Sequence, residues 1–264
     1  MKFISLIFSL LYTAASAQIN PGPRSLAMGS AGAALQDVWS LQYNQSGIAH
    51  LSRPVFALAY QRHFSDQELN TQKAVFAIPF SNHVFGIGFQ RYGIKEYIEQ
   101  TTSLAYSKNF SGALSLSIAI KHQQLSIAKY GSESLISVDA GMQYRVNEKF
   151  WIASHISNPA KTSFNDLASS NLPVTLSLGA SFIFSDKVLL ISDVQKLLNA
   201  GMDTKIGMEY KLINWFVIRG GLSVNPFKQY GGFGLIYQRF ALDVAISSHL
   251  NLGYSPNLAF SYEF

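Results

Sequence analysis

Leu114, Leu116, Ile118 and Ile120 alternate with Ser115, Ser117, Ala119 and Lys121, and this two-residue rhythm returns along most of the chain. A strand points successive side chains to opposite faces, so each such segment has one apolar face and one small or polar face. Val174 to Phe184 and Ile136 to Arg145 follow the same rule. About fourteen segments do so, the others near 54–62, 71–80, 83–92, 97–107, 150–158, 188–196, 202–210, 216–224, 230–237, 240–248 and 256–264. Segments of about ten residues are what a tilted transmembrane strand requires. The connections roughly alternate longer and shorter, from two-residue turns at Ser81-Asn82 and Gln238-Arg239 to a longest loop at 159–173. Outer-membrane barrels have short periplasmic turns and longer extracellular loops, so an even strand count places both ends of the barrel in the periplasm.

Composition decides what the apolar faces meet. Charged residues are 13% of the chain, against roughly a quarter in soluble domains. A water-soluble sandwich of this length needs more charge on its solvent face than Ser115, Ser117, Thr175, Gly179 and Ser181 supply. After the N-terminus there is no apolar run of the ~20 residues that a helix needs to cross a bilayer. The expected fold is therefore all-β: a transmembrane antiparallel barrel of about 14 strands, in contact with the lipid of a Gram-negative outer membrane. There is no Cys, which removes disulfides and thiol chemistry, and the formal net charge of +5 without a basic run does not suggest nucleic acid.

The ends fit that address. Lys2, the apolar stretch Phe3 to Tyr12 and the small residues Ala15-Ser16-Ala17 read as a secretory signal over residues 1–17. Phe260, Tyr262 and Phe264 share the apolar face of the last segment and form the expected signal for barrel insertion. Residues 18–53 do not alternate and are rich in small side chains, ahead of a barrel expected over 54–264. A barrel this wide has interior space to fill, so the segment is expected to act as a plug.

The order of motifs carries a resemblance. Pro23-Arg24-Ser25-Leu26-Ala27-Met28-Gly29-Ser30-Ala31-Gly32-Ala33-Ala34, then Trp39, Tyr43-Asn44 and Gly47-Ile48-Ala49, resembles the N-terminal signature of the PorV/PorQ family, within the wider FadL-like group of barrels. Later blocks such as Asp139-Ala140-Gly141, Ile156-Ser157-Asn158 and Gly207-Met208-Glu209-Tyr210 match in style. The resemblance implies a Bacteroidetes-type accessory protein of type IX secretion, binding a larger translocon or exported cargo proteins. Two departures stand out: Asn44-Gln45-Ser46-Gly47 where such proteins carry Asn-Pro-Ala-Gly, and Gly29-Ser30 where they carry a Gly pair. The chain is also short for the family.

Parity selects the candidate site residues. The lumen face collects Lys121, Asp139, Arg145, Asp193, Lys205, Glu209, Arg219, Asp243 and Glu263. These read either as a structural network of ion pairs and hydrogen bonds or as a polar conduction path or solute-binding patch. Asp193, Lys205, Glu209 and Arg219 lie on three consecutive segments and are expected to interact; Arg24 is expected to reach these acids. Arg24, Met28, Gly29, Gly32 and Asn44 are the candidate plug residues. Trp39 is expected in plug packing, and Trp151 and Trp215 in an aromatic girdle. The six His residues form no ligand cluster and there is no Gly-x-Ser-x-Gly elbow, so no catalytic, metal or cofactor site is expected. The alternative to secretion is a FadL-like channel for hydrophobic small molecules. That requires an apolar pocket inside the barrel and a break in its wall, and Leu189 and Ile191 share the inward parity of Asp193.

Overall fold

Alternating β-branched, aromatic and small residues form strands when both faces find partners, and here lipid and lumen supply them. The computed structural model describes residues 22–66, 68–164, 172–198, 200–249 and 251–264. The expected signal, the first residues of the expected plug and the middle of the 159–173 connection lie outside the described residues. Fourteen strands follow one another: β1 Val55–Arg62, β2 Asn70–Phe80, β3 His83–Gly93, β4 Tyr97–Phe110, β5 Leu114–Ile127, β6 Gly131–Arg145 and β7 Phe150–Ser157. The second half is β8 Thr175–Ser185, β9 Val188–Leu197, β10 Met202–Ile213, β11 Phe216–Val224, β12 Phe227–Tyr237, β13 Phe240–His249 and β14 Gly253–Glu263. Each strand pairs antiparallel with its neighbours in sequence, and β1 pairs with β14 to close the barrel. Closure leaves no open sheet edge around the ring, which is what a strand protein needs in hydrocarbon.

The two faces are separated as the alternation requires. On the outside Leu104, Ile118, Ile120, Leu178, Ile206 and Leu258 are half or more exposed. So continuous an apolar surface has no place in water, and each such side chain gains roughly 1.5–3 kcal/mol when hydrocarbon covers it. Inside, Ser103, Ser107, Ser115, Ser137, Thr175 and Ser177 are buried. The chain is a multi-pass outer-membrane β-barrel.

Turns such as Ser81-Asn82, Asp186-Lys187 and Gln238-Arg239 lie at one end, the periplasmic one by their brevity. At that end rings meet across the wall: Phe240 with Tyr262 at 4.7 Å and Tyr262 with Phe264 at 4.9 Å between centroids. At the opposite end β5 and β6 run longer than the alternation indicates. Residues 124–134, read from sequence as an eleven-residue connection, form strand apart from 128–130. Gln123, Gln124, Ser126, Ser132 and Ser134 are polar on both faces, because here the hairpin passes beyond the hydrocarbon. Only Asp139–Arg145 of β6 pairs with β7. Val138 O accepts from Asn158 N just past β7, and Gly131–Ser137 pair with β5 alone among the described strands.

Residues 22–53 touch the inward faces of strands all around the ring. Leu26 and Ala27 pack on Tyr230 and Ala245, and Val38, Trp39, Leu41 and Ile48 on Ala57, Val75, Val84, Ala105 and Ala119. Contacts on opposite walls place the segment across the lumen.

Candidate functional site in the barrel lumen

Helix α1, Pro23–Ala27, starts the segment with Pro at its first position, where the missing N–H costs nothing. It sets Arg24 against the β10 wall. The guanidinium donates from Nε and Nη2 to the two carboxylate oxygens of Glu209, both at 2.9 Å, and from Nη1 to Asp37 Oδ2 at 3.1 Å. Arg219, opposite Glu209 in the β10–β11 register, donates to Glu209 at 2.7 Å and to Asp243 at 2.6 Å. Two guanidinium groups and three carboxylates thus alternate in one partly buried chain, with planar forks matched to carboxylates. Burial alone would lower the Arg24 pKa, but Glu209 and Asp37 carry it above the ordinary value. Asp37 also accepts from Trp39 N at 2.9 Å, capping the 3₁₀ turn Val38–Gln42. Burial pushes its carboxyl up, against the pull of Arg24.

The next turn presses the backbone onto the wall. Gly29 has φ +75°, and a Cβ there would sit 2.6 Å from Ile206 O and 2.7 Å from Leu222 O. The wall answers with Gly207 and Gly221, where a Cβ would meet the backbone of Met28 and Gly29. Met28 is fully buried with Ala31, Leu35 and Ile191, and Leu189 packs beside them. Gly32 N and Ala33 N both donate to Asp193 Oδ2, at 2.7 and 2.9 Å, a two-amide cradle for a carboxylate.

Asn44, wholly buried, caps the second 3₁₀ turn, Gln45–His50, by accepting from Ser46 N and Oγ. Its amide donates to Ala33 O at 2.7 Å and reaches Met142 O on β6 and Ser154 O on β7. Gln143 joins from β6, donating to Ala33 O and Leu35 O at 3.0 and 2.8 Å. Tyr43 donates to Ser177 Oγ at 3.3 Å and stacks on His155 at 6.0 Å between centroids. His155 Nε2 lies 3.4 Å from Asp139 Oδ2, where the Lys121 ammonium also sits, and Ser157 donates to Asp139 Oδ1 at 2.8 Å. At the end of the segment His50 meets Ser115 Oγ at 2.9 Å and the edge of Trp151 at 4.8 Å.

Three expectations are corrected. Asp193 and Lys205 are opposite in register but make no ion pair: Asp193 is taken by the segment's amides and Lys205 donates to Gln195 at 2.8 Å. Trp151 is not in a girdle. It shares the inward parity of Ala153 and His155 and is buried beneath Arg145. Glu263 lies at the rim, 3.6 Å from Arg53, rather than within the network. Trp215 is exposed at its short turn and Trp39 is packed inside, where they were expected. Phe260 and Phe264 are exposed on the outer wall, with Tyr262 between them in the aromatic row. Asp37 and Gln143 stand outside the candidate residues, and His155 reads in the sequence only as one of six dispersed histidines. Gln143 shares the parity of Asp139 on the same strand, so its signal was present, whereas Asp37 lies where no alternation exists.

Below this layer, at the periplasmic end, a cavity of about 520 Å³ opens between β8, β9, β10, β11 and the segment. Leu35, Ile183, Leu189, Val217 and Ile236 give it an apolar wall, while Arg24, Glu209, Lys187 and Lys211 lie around it. Elsewhere inward apolar side chains such as Val75 and Val84 are covered by the segment, whereas here they border open space.

No family model matches the chain, and no curated protein does. Solved structures do. The Ralstonia pickettii toluene transporter TbuX superposes with a TM-score of 0.76 at 14% identity, over 94% of this chain and 99% of that one. The Pseudomonas putida toluene transporter TodX gives 0.72 at 11%, over 91% and 97%. A Pseudomonas aeruginosa FadL homologue gives 0.72 at 10%, over 92% and 98%. The fold is that of the FadL-like outer-membrane barrels.

Proposed function

We propose that this chain is a non-enzymatic outer-membrane channel for the uptake of hydrophobic small molecules, closed by its N-terminal segment. The observation that carries the reading is the cavity at the periplasmic end, with its apolar wall of Leu35, Ile183, Leu189, Val217 and Ile236. Inward Leu, Ile and Val side chains cost stability in a wetted lumen and serve a solute that prefers them to water. At the opposite end Gly131–Ser137 of β6 pair with β5 alone among the described strands. Between that end and the cavity stands the layer of Tyr43, Asn44, Gln143 and His155, so passage requires the segment to shift. TbuX and TodX are described as toluene transporters, and a shared fold with an apolar interior patch suits that class of solute. The lumen network then acts structurally, as the seat of the segment. The PorV/PorQ resemblance and its secretion role rest on the order of sequence motifs, and no contact or surface described above favours them.

Binding of a hydrophobic fluorophore such as N-phenylnaphthylamine to the detergent-solubilised barrel tests the reading. Ile183→Asn and Leu189→Asn each remove one apolar wall of the cavity and are expected to weaken binding about tenfold, the worth of one buried aliphatic side chain. Unchanged affinity in both variants refutes the assignment. So does recovery of the native protein bound to a secretion translocon with no lipophilic solute taken up by cells.

A further inference from the structure

The outer wall is not uniform. Between β2 and β5 its side chains fall into two rows set by register. One is Phe76, Ile87, Leu104 and Ile120; the other is Ile78, Phe85, Tyr106 and Ile118. They part over the backbone of Gly86 and Ala105 to leave an apolar groove of about 400 Å³. Facing rings meet along its periplasmic row, Phe85 with Tyr106 at 5.3 Å, as they do at this end elsewhere in the wall, as with Phe240 and Tyr262.

The groove ends on polar groups at the height of the short turns. Tyr106 OH and His83 Nδ1 lie 2.5 Å apart, with rings stacked. Lys108 stands one step further along β4, beside His83 in register. It is four residues beyond Leu104, which is about 13 Å of strand. Its ammonium lies 5.0 Å from the centre of the Phe110 ring, and among the described residues no carboxylate pairs with it. An apolar trough edged by Tyr106, with His83 beside that ring and an unneutralised cation one step beyond, matches an acyl chain, its ester linkage and a phosphate, in that order.

We propose that the β2–β5 groove is a specific site for one phospholipid of the periplasmic leaflet. One acyl chain lies between Phe85 and Leu104, the His83–Tyr106 pair meets the glycerol esters, and Lys108 holds the phosphate. The site is on the outside of the wall, so its test is independent of the solute-binding assay.

Native mass spectrometry of the detergent-purified barrel with added palmitoyl-oleoyl phosphatidylglycerol reads the site directly. One adduct is expected to survive activation that strips the remaining lipid, while diacylglycerol, which lacks the phosphate, is not retained. Lys108→Glu is expected to weaken retention at least fivefold, the worth of one interfacial cation. Leu104→Trp, which fills the trough at a position already 60% exposed, is expected to abolish it. Both variants should keep the fast electrophoretic migration of an unheated folded barrel; if Leu104→Trp does not, Lys108→Glu carries the test. Equal retention by wild type and Lys108→Glu, retention of diacylglycerol, or an adduct with the mass of lipid A would each overturn the assignment.

Discussion

Replacing Arg24 by Ala tests whether the N-terminal segment is held by its charges or merely by its shape. The change deletes three hydrogen bonds and leaves Asp37 without its cation, while Glu209 keeps Arg219. Breaking a buried ion pair costs about 3–5 kcal/mol. Here the side chains of Arg24 and Glu209 are 23% and 17% exposed, and a second guanidinium remains, so the low end, about 3 kcal/mol, applies. That raises the population of released segments about 150-fold. The assay is amide exchange of residues 22–35, whose N–H groups at Leu26, Ser30, Gly32 and Ala33 are bonded in the seated state. Exchange that follows local opening scales with that population, so a rise of about two decades is expected, confined to the segment. Arg24→Lys should recover part of the protection, because an ammonium makes a point contact where a guanidinium makes a fork. Acidity supplies a sign. Burial raises the Asp37 carboxyl, so its protonated form favours the seated state. Its contribution is complete below the ordinary carboxylate range and lost as pH rises through the raised value. Without Arg24 the largest opposing pull is gone, and the excess exchange of Arg24→Ala should grow as pH rises above the ordinary carboxylate range. Unchanged protection in Arg24→Ala would refute the reasoning. So would an equal loss in the β10 and β11 amides, which would make the wall and not the segment the thing held.

The other end of the segment should respond in the opposite direction. Burial, then the charge of Arg145, lowers the His50 imidazole to about 4, so its neutral form favours the seat. That contribution is complete above about 6.5 and lost as pH falls from there to about 4. Exchange of residues 45–50 should rise over that window in the native chain and stay flat in His50→Asn. Gly29→Ala adds a Cβ at a positive φ and within 2.6 Å of a wall carbonyl, a cost of about 1–3 kcal/mol that should raise exchange of residues 26–33 about five- to 150-fold.

How much of this was legible follows from where alternation exists. Along β8, Thr175, Ser177 and Ser181 turn inward and Leu176, Leu178 and Phe182 outward, and the sequence alone says so. The β5–β6 hairpin lost its signal beyond His122, where polar residues occupy both faces and period two has nothing to contrast. Trp151 was misplaced because its proximity to a turn outweighed its parity with Ala153. The Glu209–Arg219 pair was accessible to parity and strand adjacency. The partnership of Asp193 with Gly32 and Ala33 was not, because main-chain donors leave no trace in residue type. The segment itself offered small residues and no period, which indicates close packing but not the path of the chain.

The glycines that face the segment have a consequence for assembly. A wall bearing a methyl group at Gly207 and Gly221 would collide with the Met28–Gly29 backbone, and one with larger groups would close over the space. The wall has instead been left thin along the track of one particular peptide, as a mould keeps the outline of its casting. A barrel folded without residues 22–53 therefore contains not a generic pore but a passage with a fixed outline. A synthetic peptide of that sequence, added in trans, should be able to find it again. The β1–β14 seam, Val55 to Gln61 against Glu263 to Asn257, decides whether it must arrive before the ring shuts.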